Sequence, residues 1–489
     1  MRLPALLLLT MTATLQAQTP SPPVAQKRPV TSVLHGDRRV DDYAYFKDRN
    51  DPETIPYLER ENAYTEAMTA HTKALQQRLY DEMLARIKED DSQVPVPRDG
   101  WFYYSRTEKG KPYPIYARKK GALSAPEEVY FDQNLEAEGH EFYQLGGMEV
   151  SPDHKRLAVL VDTNGYEDFA LRIKDLETGK WLDDRIEKLS WGLAWANDNR
   201  TLFYMTTDSA KRGDRVWRHV VGTPREKDVS VYQDTDVLFN VNVSRSRNGE
   251  WILIGSGSFT SSEWHVIPTA RPTEAPRMIA KRRPNVEYEV EPGERVFYIL
   301  TNEGAQNFKV MIAPVNAPGH ESWTEWLGHR PEAFVEGVMT FKRHVVVIER
   351  REGLRHLRIT ALDGGAVHDV TFPEAAYGVF PGGNPQYDSG KLRFTYSSLV
   401  TPNTVYDYDM TARTREQLKQ DEVLGGYDPS KYVVERLYAT ARDGTKVPVS
   451  LVRKKDGFRR DGSSKLLLYA YGSYGATTEP TFSSQRFSL

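Results

Sequence analysis

The 489-residue chain contains no cysteine. That absence excludes disulfide staples, thiolate metal ligands, a cysteine nucleophile and a lipid anchor on sulfur, so the fold must be held by its apolar core. An excess of one charge is missing too. The 65 basic and 68 acidic side chains give a formal net charge of −3, and the densest basic run, Lys281-Arg282-Arg283, is only three residues long. A nucleic-acid footprint needs a broader basic face, so nucleic acid is not an expected partner. Long hydrophobic runs are scarce, and the one in MRLPALLLLTMTATLQA is too short to span a bilayer.

Common chemical signatures are lacking as well. His140-Glu141 opens an HExxH pattern, but Gln144 stands where the second histidine belongs. GSGSFT at 255–260 has two glycines of a dinucleotide fingerprint and then ends in Thr260 within a strand-like run. No P-loop or EF-hand loop occurs, so neither an organic cofactor nor a metal is expected. Gly472-Ser473-Tyr474-Gly475 falls one residue short of the G-x-S-x-G nucleophile elbow. None of the 11 histidines forms a convincing catalytic pair with a nearby serine or carboxylate in the sequence.

What is present falls into five segments. Residues 1–17 join one arginine to a short apolar core and end in Leu-Gln-Ala, the layout of a secretory signal peptide cut after Ala17. This predicts an exported protein, periplasmic or secreted, with no stable membrane anchor once the signal is removed. Residues 18–34 are Pro-rich and read as a flexible segment. Residues 35–91 read as a helical arm: Ile55, Leu58, Met68, Leu75, Leu79, Met83 and Ile87 fall at helical spacing, with Asp51-Pro52 as the start signal.

From residue 92 to 425 strands take over, and they repeat. Polar turns marked by Gly100, Asp153, Asn199, Gly249, Gly293, Arg343 and Gly390 each precede a strand-like run: WFYYS, RLAVLV, TLFYM, WILIG, RVFYI, HVVVI and KLRFTYS. Their spacing of 44 to 53 residues is that of propeller blades, and seven marks predict a seven-bladed β-propeller. Residues 426–489 lose the period. YVVERLYATARDGTKVPVSLVRKK predicts two strands around Asp443-Gly444, and KLLLYAYG predicts a strand buried on both faces, as in a parallel sheet. The predicted fold class is thus mainly β: a seven-bladed propeller preceded by a helical arm and followed by the first strands of an incomplete α/β-hydrolase domain.

A tyrosine at the carboxyl end of a parallel strand lies where α/β sheets place reacting groups. Its phenol could donate to a developing oxyanion, or it could simply cap the sheet. Pattern alone leaves both readings open.

Several stretches in order resemble the prolyl oligopeptidase family of serine peptidases, and most of all its oligopeptidase B (protease II) branch. They are HGDRRVDDYAYFKDR at 35–49, YLERENAYTEAM at 57–68, EDDSQVPVPRDGWFYYSRTEKGKPYPIYARK at 89–119, GHEFYQLGGMEVSPD at 139–153, VWRHVVGTP at 216–224, ARDGTKVPVSLV at 441–452 and the closing YAYGSYG. The resemblance runs from about residue 28 onward; the signal peptide is a departure, since that branch is usually cytosolic.

It implies acyl transfer by a Ser-His-Asp triad, with the propeller limiting access to short peptides. Tyr471 maps to the family's oxyanion-binding phenol and Tyr474 to an aromatic lining the substrate pocket. Of two acids that seat a second basic residue, Glu479 is kept and Thr481 replaces the other. The loop spelling favours hydrolysis after Arg or Lys; the alternative is hydrolysis after Pro. The positions of the triad serine, aspartate and histidine are not found in this chain, so it is expected to be the N-terminal portion of an oligopeptidase and inactive by itself. The alternative is a non-catalytic propeller that binds peptides or partners.

Overall fold

Turn chemistry that is plain in the sequence starts most strands of the molecule. The computed structural model describes residues 20–488, which fall into two compact units: 20–86 with 485–488, and 87–484. The expected signal peptide, residues 1–17, lies outside the described residues. Among these, no helix is long and apolar enough to cross a membrane.

In the first unit, strands Val30–Leu34 and Asp37–Asp41 pair across a two-residue turn at His35-Gly36, both with positive φ. The arm is two helices, Thr54–Thr69 and Lys73–Leu84, joined by a short 3-10 turn at Ala70–Thr72. Asp51 supports the first helix from just outside it: Oδ1 accepts the Glu53 N–H at 3.0 Å, and Oδ2 pairs with Arg28 at 2.8 Å. The apolar stripe read from the sequence lies on the surface, with Leu58 50% exposed and Leu75 44%.

The second unit is the propeller, and its count differs from expectation. Four separate four-stranded sheets begin at Asn240–Arg245, Tyr288–Pro292, Phe334–Thr340 and Tyr377–Pro381, and a five-stranded sheet spans 91–132. These are five discrete blades, not seven. Residues 144–233 form one seven-stranded sheet instead. The cause is strand Trp181–Trp195, which runs unbroken for 15 residues, pairing with Phe169–Asp175 through its first part and with Thr201–Thr207 through its last.

Where a break was expected, the strand only shifts register between Leu189 and Leu193, and Gly192 absorbs the bend at φ 111. A Cβ on Gly192 would stand 3.2 Å from the Val243 carbonyl oxygen of the next sheet. The seven turn marks do lie between paired strands. Counting turns therefore counted hairpins, and hairpins do not reveal whether neighbouring sheets are joined.

The turns follow one recipe. Asp198 accepts from the N–H groups of Arg200 and Thr201 at 3.0 and 2.8 Å and from the Thr201 hydroxyl at 2.7 Å, while Asn199 takes a left-handed conformation at φ 57. Ser246 and Asn248 repeat the arrangement ahead of Trp251. Runs such as RLAVLV are buried on both faces because sheets pack face to face. Phe203, Met205 and Val216 of the long sheet interlock with Val241, Val243, Ile252 and Ile254 of the next. Each such side chain contributes about 1.5–3 kcal/mol by leaving water.

Beyond the propeller, Tyr432–Thr440 and Lys446–Lys454 pair around Asp443-Gly444 as expected. The Arg436 guanidinium reaches the Glu352 carbonyl at 2.6 Å, tying this hairpin to a propeller turn. The expected buried strand at KLLLYAYG does not form. Residues 465–471 carry no strand, and Leu466, Leu467 and Leu468 are 73, 72 and 79% exposed. A parallel strand draws its backbone hydrogen bonds from neighbours, and no described strand lies beside this one. Of the α/β-hydrolase sheet expected from the sequence, the described residues form only the hairpin before it.

Candidate functional site

The terminal loop alternates aromatic and small residues, and glycine with serine supplies a tight reversal. The Ala476 N–H donates to the Ser473 carbonyl at 3.1 Å, with Tyr474 and Gly475 both at positive φ, 55 and 66. A tyrosine in the left-handed region is uncommon and marks a tight turn, and Tyr474 is 85% exposed. Its ring stacks on that of Phe259, with centroids 6.3 Å apart. Phe259, itself 88% exposed, sits at the tip of the 258–261 turn between two strands of a propeller blade. Tyr471 is exposed as well.

Glu479 lies in different surroundings. One of its oxygens accepts from the Arg350 guanidinium and stands 3.9 Å from Arg355. Both arginines flank the Gly353 turn, and both are held by Glu336: Arg350 Nε and Arg355 Nε each donate to one Glu336 oxygen at 2.6 Å. Two residues on, the Thr481 methyl lies against Gly378, 3.0 Å from where a Cβ would stand. The Phe482 N–H donates to Ser397 Oγ at 3.0 Å. The structure thus brings Glu479 and Thr481 onto the propeller and Tyr474 onto Phe259, and leaves Tyr471 in solvent.

Beside the 258–261 turn a cavity of about 270 Å³ opens between blades. Trp264, Tyr288, Phe308 and Phe334 wall it, and Glu287, Glu289 and Glu336 line it without any lysine, arginine or histidine. Burial raises the carboxyl pKa of Glu287; for Glu289 burial is again the main cause, with the neighbouring Glu287 charge adding to it. Glu289 is thus open to cavity water yet surrounded by protein. Among the described residues no group of three or more His, Asp or Glu side chains is placed to hold a metal ion.

Sequence reasoning missed Arg350, Arg355, Glu336 and Phe259. The first two had a signal, the dense basic turn ERREGLRH, but its partner Glu479 lies 129 positions away from Arg350.

Residues 22–421 match the family model described as the prolyl oligopeptidase N-terminal beta-propeller domain. The chain belongs to the prolyl oligopeptidase family. Among curated relatives of this family, dipeptidyl aminopeptidase BI of Pseudoxanthomonas mexicana is 41% identical over 500 residues, which is 98% of this chain and 68% of the relative. Protease 2 of Moraxella lacunata is 34% identical over 96% of this chain and 68% of its own length.

Among solved structures, oligopeptidase B from Leishmania major superposes with a TM-score of 0.88 at 32% identity, covering 96% of this chain and 70% of that one. Oligopeptidase B from Trypanosoma brucei, in its closed form with covalently bound antipain, gives 0.89 at 31% identity with the same coverage. Within the prolyl oligopeptidase family the chain is therefore oligopeptidase B-like, and members of this family are serine peptidases.

Proposed function

We propose that this chain supplies the propeller and the substrate-facing terminal loop of an exported serine oligopeptidase that hydrolyses short peptides after arginine or lysine. Membership of the oligopeptidase B-like group supports the peptidase reading, and the spelling YAYGSYG, shared with that group by resemblance, carries the specificity. In this reading the Tyr471 phenol donates a hydrogen bond to the oxyanion and Tyr474 lines the pocket beside Phe259. The cavity beside the 258–261 turn offers the carboxyl groups of Glu287 and Glu289 and no lysine, arginine or histidine, a lining suited to accepting hydrogen bonds from a cationic peptide side chain rather than to binding proline. The 489 residues contain no G-x-S-x-G elbow, and we propose that a polypeptide of these residues alone cleaves no peptide.

The deciding assay uses the protein purified from its own cells and fluorogenic peptides ending in Arg, Lys or Pro. It is run with free and blocked amino termini, because one relative is named a dipeptidyl aminopeptidase. Turnover is expected after Arg and Lys, and Tyr471→Phe should lower kcat by about 10- to 1000-fold with KM much less changed. Faster cleavage after Pro would overturn the specificity, and an unaffected Tyr471→Phe variant would overturn the oxyanion role. Two further measurements bear on the rest. A fluorophosphonate probe should label no serine of the 489-residue polypeptide, and the mature N-terminus should be Gln18.

A further inference from the structure

Residues 465–478 are exposed, whereas at 479–482 the chain becomes seated: Pro480 is buried, and its three neighbours are half-buried. The seat has an electrostatic centre. Arg350 is oriented before it meets Glu479, because Nε donates to Glu336 and Nη1 donates to the Gly353 carbonyl at 3.0 Å. Arg355 is oriented likewise, by Glu336 and by the Val379 carbonyl at 3.1 Å. Two guanidinium groups braced by one carboxylate therefore converge on a single oxygen of Glu479. The other oxygen of Glu479 has no hydrogen-bond partner among the described residues. Side-chain exposures of 12% for Arg350 and 15% for Glu479 leave this pair partly open to solvent, so dissolved salt still weakens it.

We propose that Arg350 and Arg355 are positioning residues for the terminal loop: their shared hold on Glu479 fixes the seat of residues 479–482 and limits where Tyr474 can reach. Tyr474 stands five residues before Glu479, so a fixed Glu479 confines it to a radius of about 18 Å. The Phe482 N–H, bonded to Ser397, reports whether the seat is kept.

The test is hydrogen–deuterium exchange of the peptide covering residues 478–484 in the 489-residue chain, which needs no catalytic activity. Arg350→Met and Glu479→Gln should each speed exchange there by about 10-fold. In the unaltered chain, raising salt from about 0.05 to about 0.5 M should speed it too. That salt response should shrink in Arg350→Met, where Arg355 still faces Glu479, and vanish in Glu479→Gln, whereas Arg350→Lys, which keeps the positive charge, should retain part of it. A purely packing role for these residues would leave no salt response to remove. Unchanged exchange in Glu479→Gln, which alters no propeller residue, overturns the proposal even if Arg350→Met does not fold.

Discussion

His219 is buried at 1% exposure between two carboxylates. Its Nδ1 lies 2.7 Å from Asp228 and its Nε2 2.9 Å from Asp184, so with both nitrogens donating the ring carries a proton on each. Burial alone would lower the histidine pKa, but the hydrogen bonds and charges of Asp184 and Asp228 outweigh it and push it up to about 9. A folded-state value raised above the unfolded one gives stability that is fully present below about 6.5 and is lost as pH rises through about 9. Denaturant unfolding should therefore show a loss of up to about 3 kcal/mol between those limits. His219→Gln should abolish that pH dependence and lower stability at pH 7 by about 3 kcal/mol or more, because two buried carboxylates lose their counter-charge. A pH profile unchanged by the substitution would refute the charged assignment. None of this was legible in the sequence, where the three residues lie 9 and 35 positions apart.

At the scale of elements, the seven-stranded sheet sets a tight packing limit. A Cβ on Gly146 would fall 2.2 Å from Cε1 of Phe169, a ring with no exposure. Gly146→Ala must displace that ring or the strand, and overpacking of this kind costs about 1–3 kcal/mol. A urea midpoint equal to that of the unaltered protein would show that the sheet yields freely there. Phe169→Leu should offset part of the loss, a coupling measurable in a double-mutant cycle. Strand existence was readable from alternating β-branched and aromatic runs, and turns from Asp, Asn and Gly. The fate of LLLY was not. Residues 466–469 have every local mark of a buried strand, yet they form none and stay exposed because strand formation depends on a partner. The 15-residue strand 181–195 failed in the opposite sense, since a glycine bend let it continue where turn counting implied a new sheet.

At the scale of the molecule, the last blade closes onto the first sheet through a few polar contacts. Arg393 binds Asp407 with two nitrogens at 2.7 and 2.9 Å and also donates to the Pro95 carbonyl at 2.8 Å. Lys419 pairs with Asp91 and donates to the Ser92 carbonyl at 2.6 Å. Arg393 and Asp407 are only 11 and 14% exposed. Arg393→Met should therefore cost about 3–5 kcal/mol, leaving Asp407 without its partner. Loss at Lys419 should cost under about 1 kcal/mol, because both members of that pair are more open to water. Thermal unfolding of the two variants side by side checks the order, and equal losses would contradict it.

The absence of thiol chemistry, the hairpin turns, the helical character of the arm and the family resemblance were all legible in the sequence, because composition, local turn and helix signals and the order of short stretches along the chain carry them. Tertiary structure alone decided how many sheets the strands build, which apolar runs find cover, and that Glu479 is met by Arg350 and Arg355. Those outcomes rest on contacts between residues tens to more than a hundred positions apart, and local propensity carries no information about which distant surface will complete a strand or neutralise a charge.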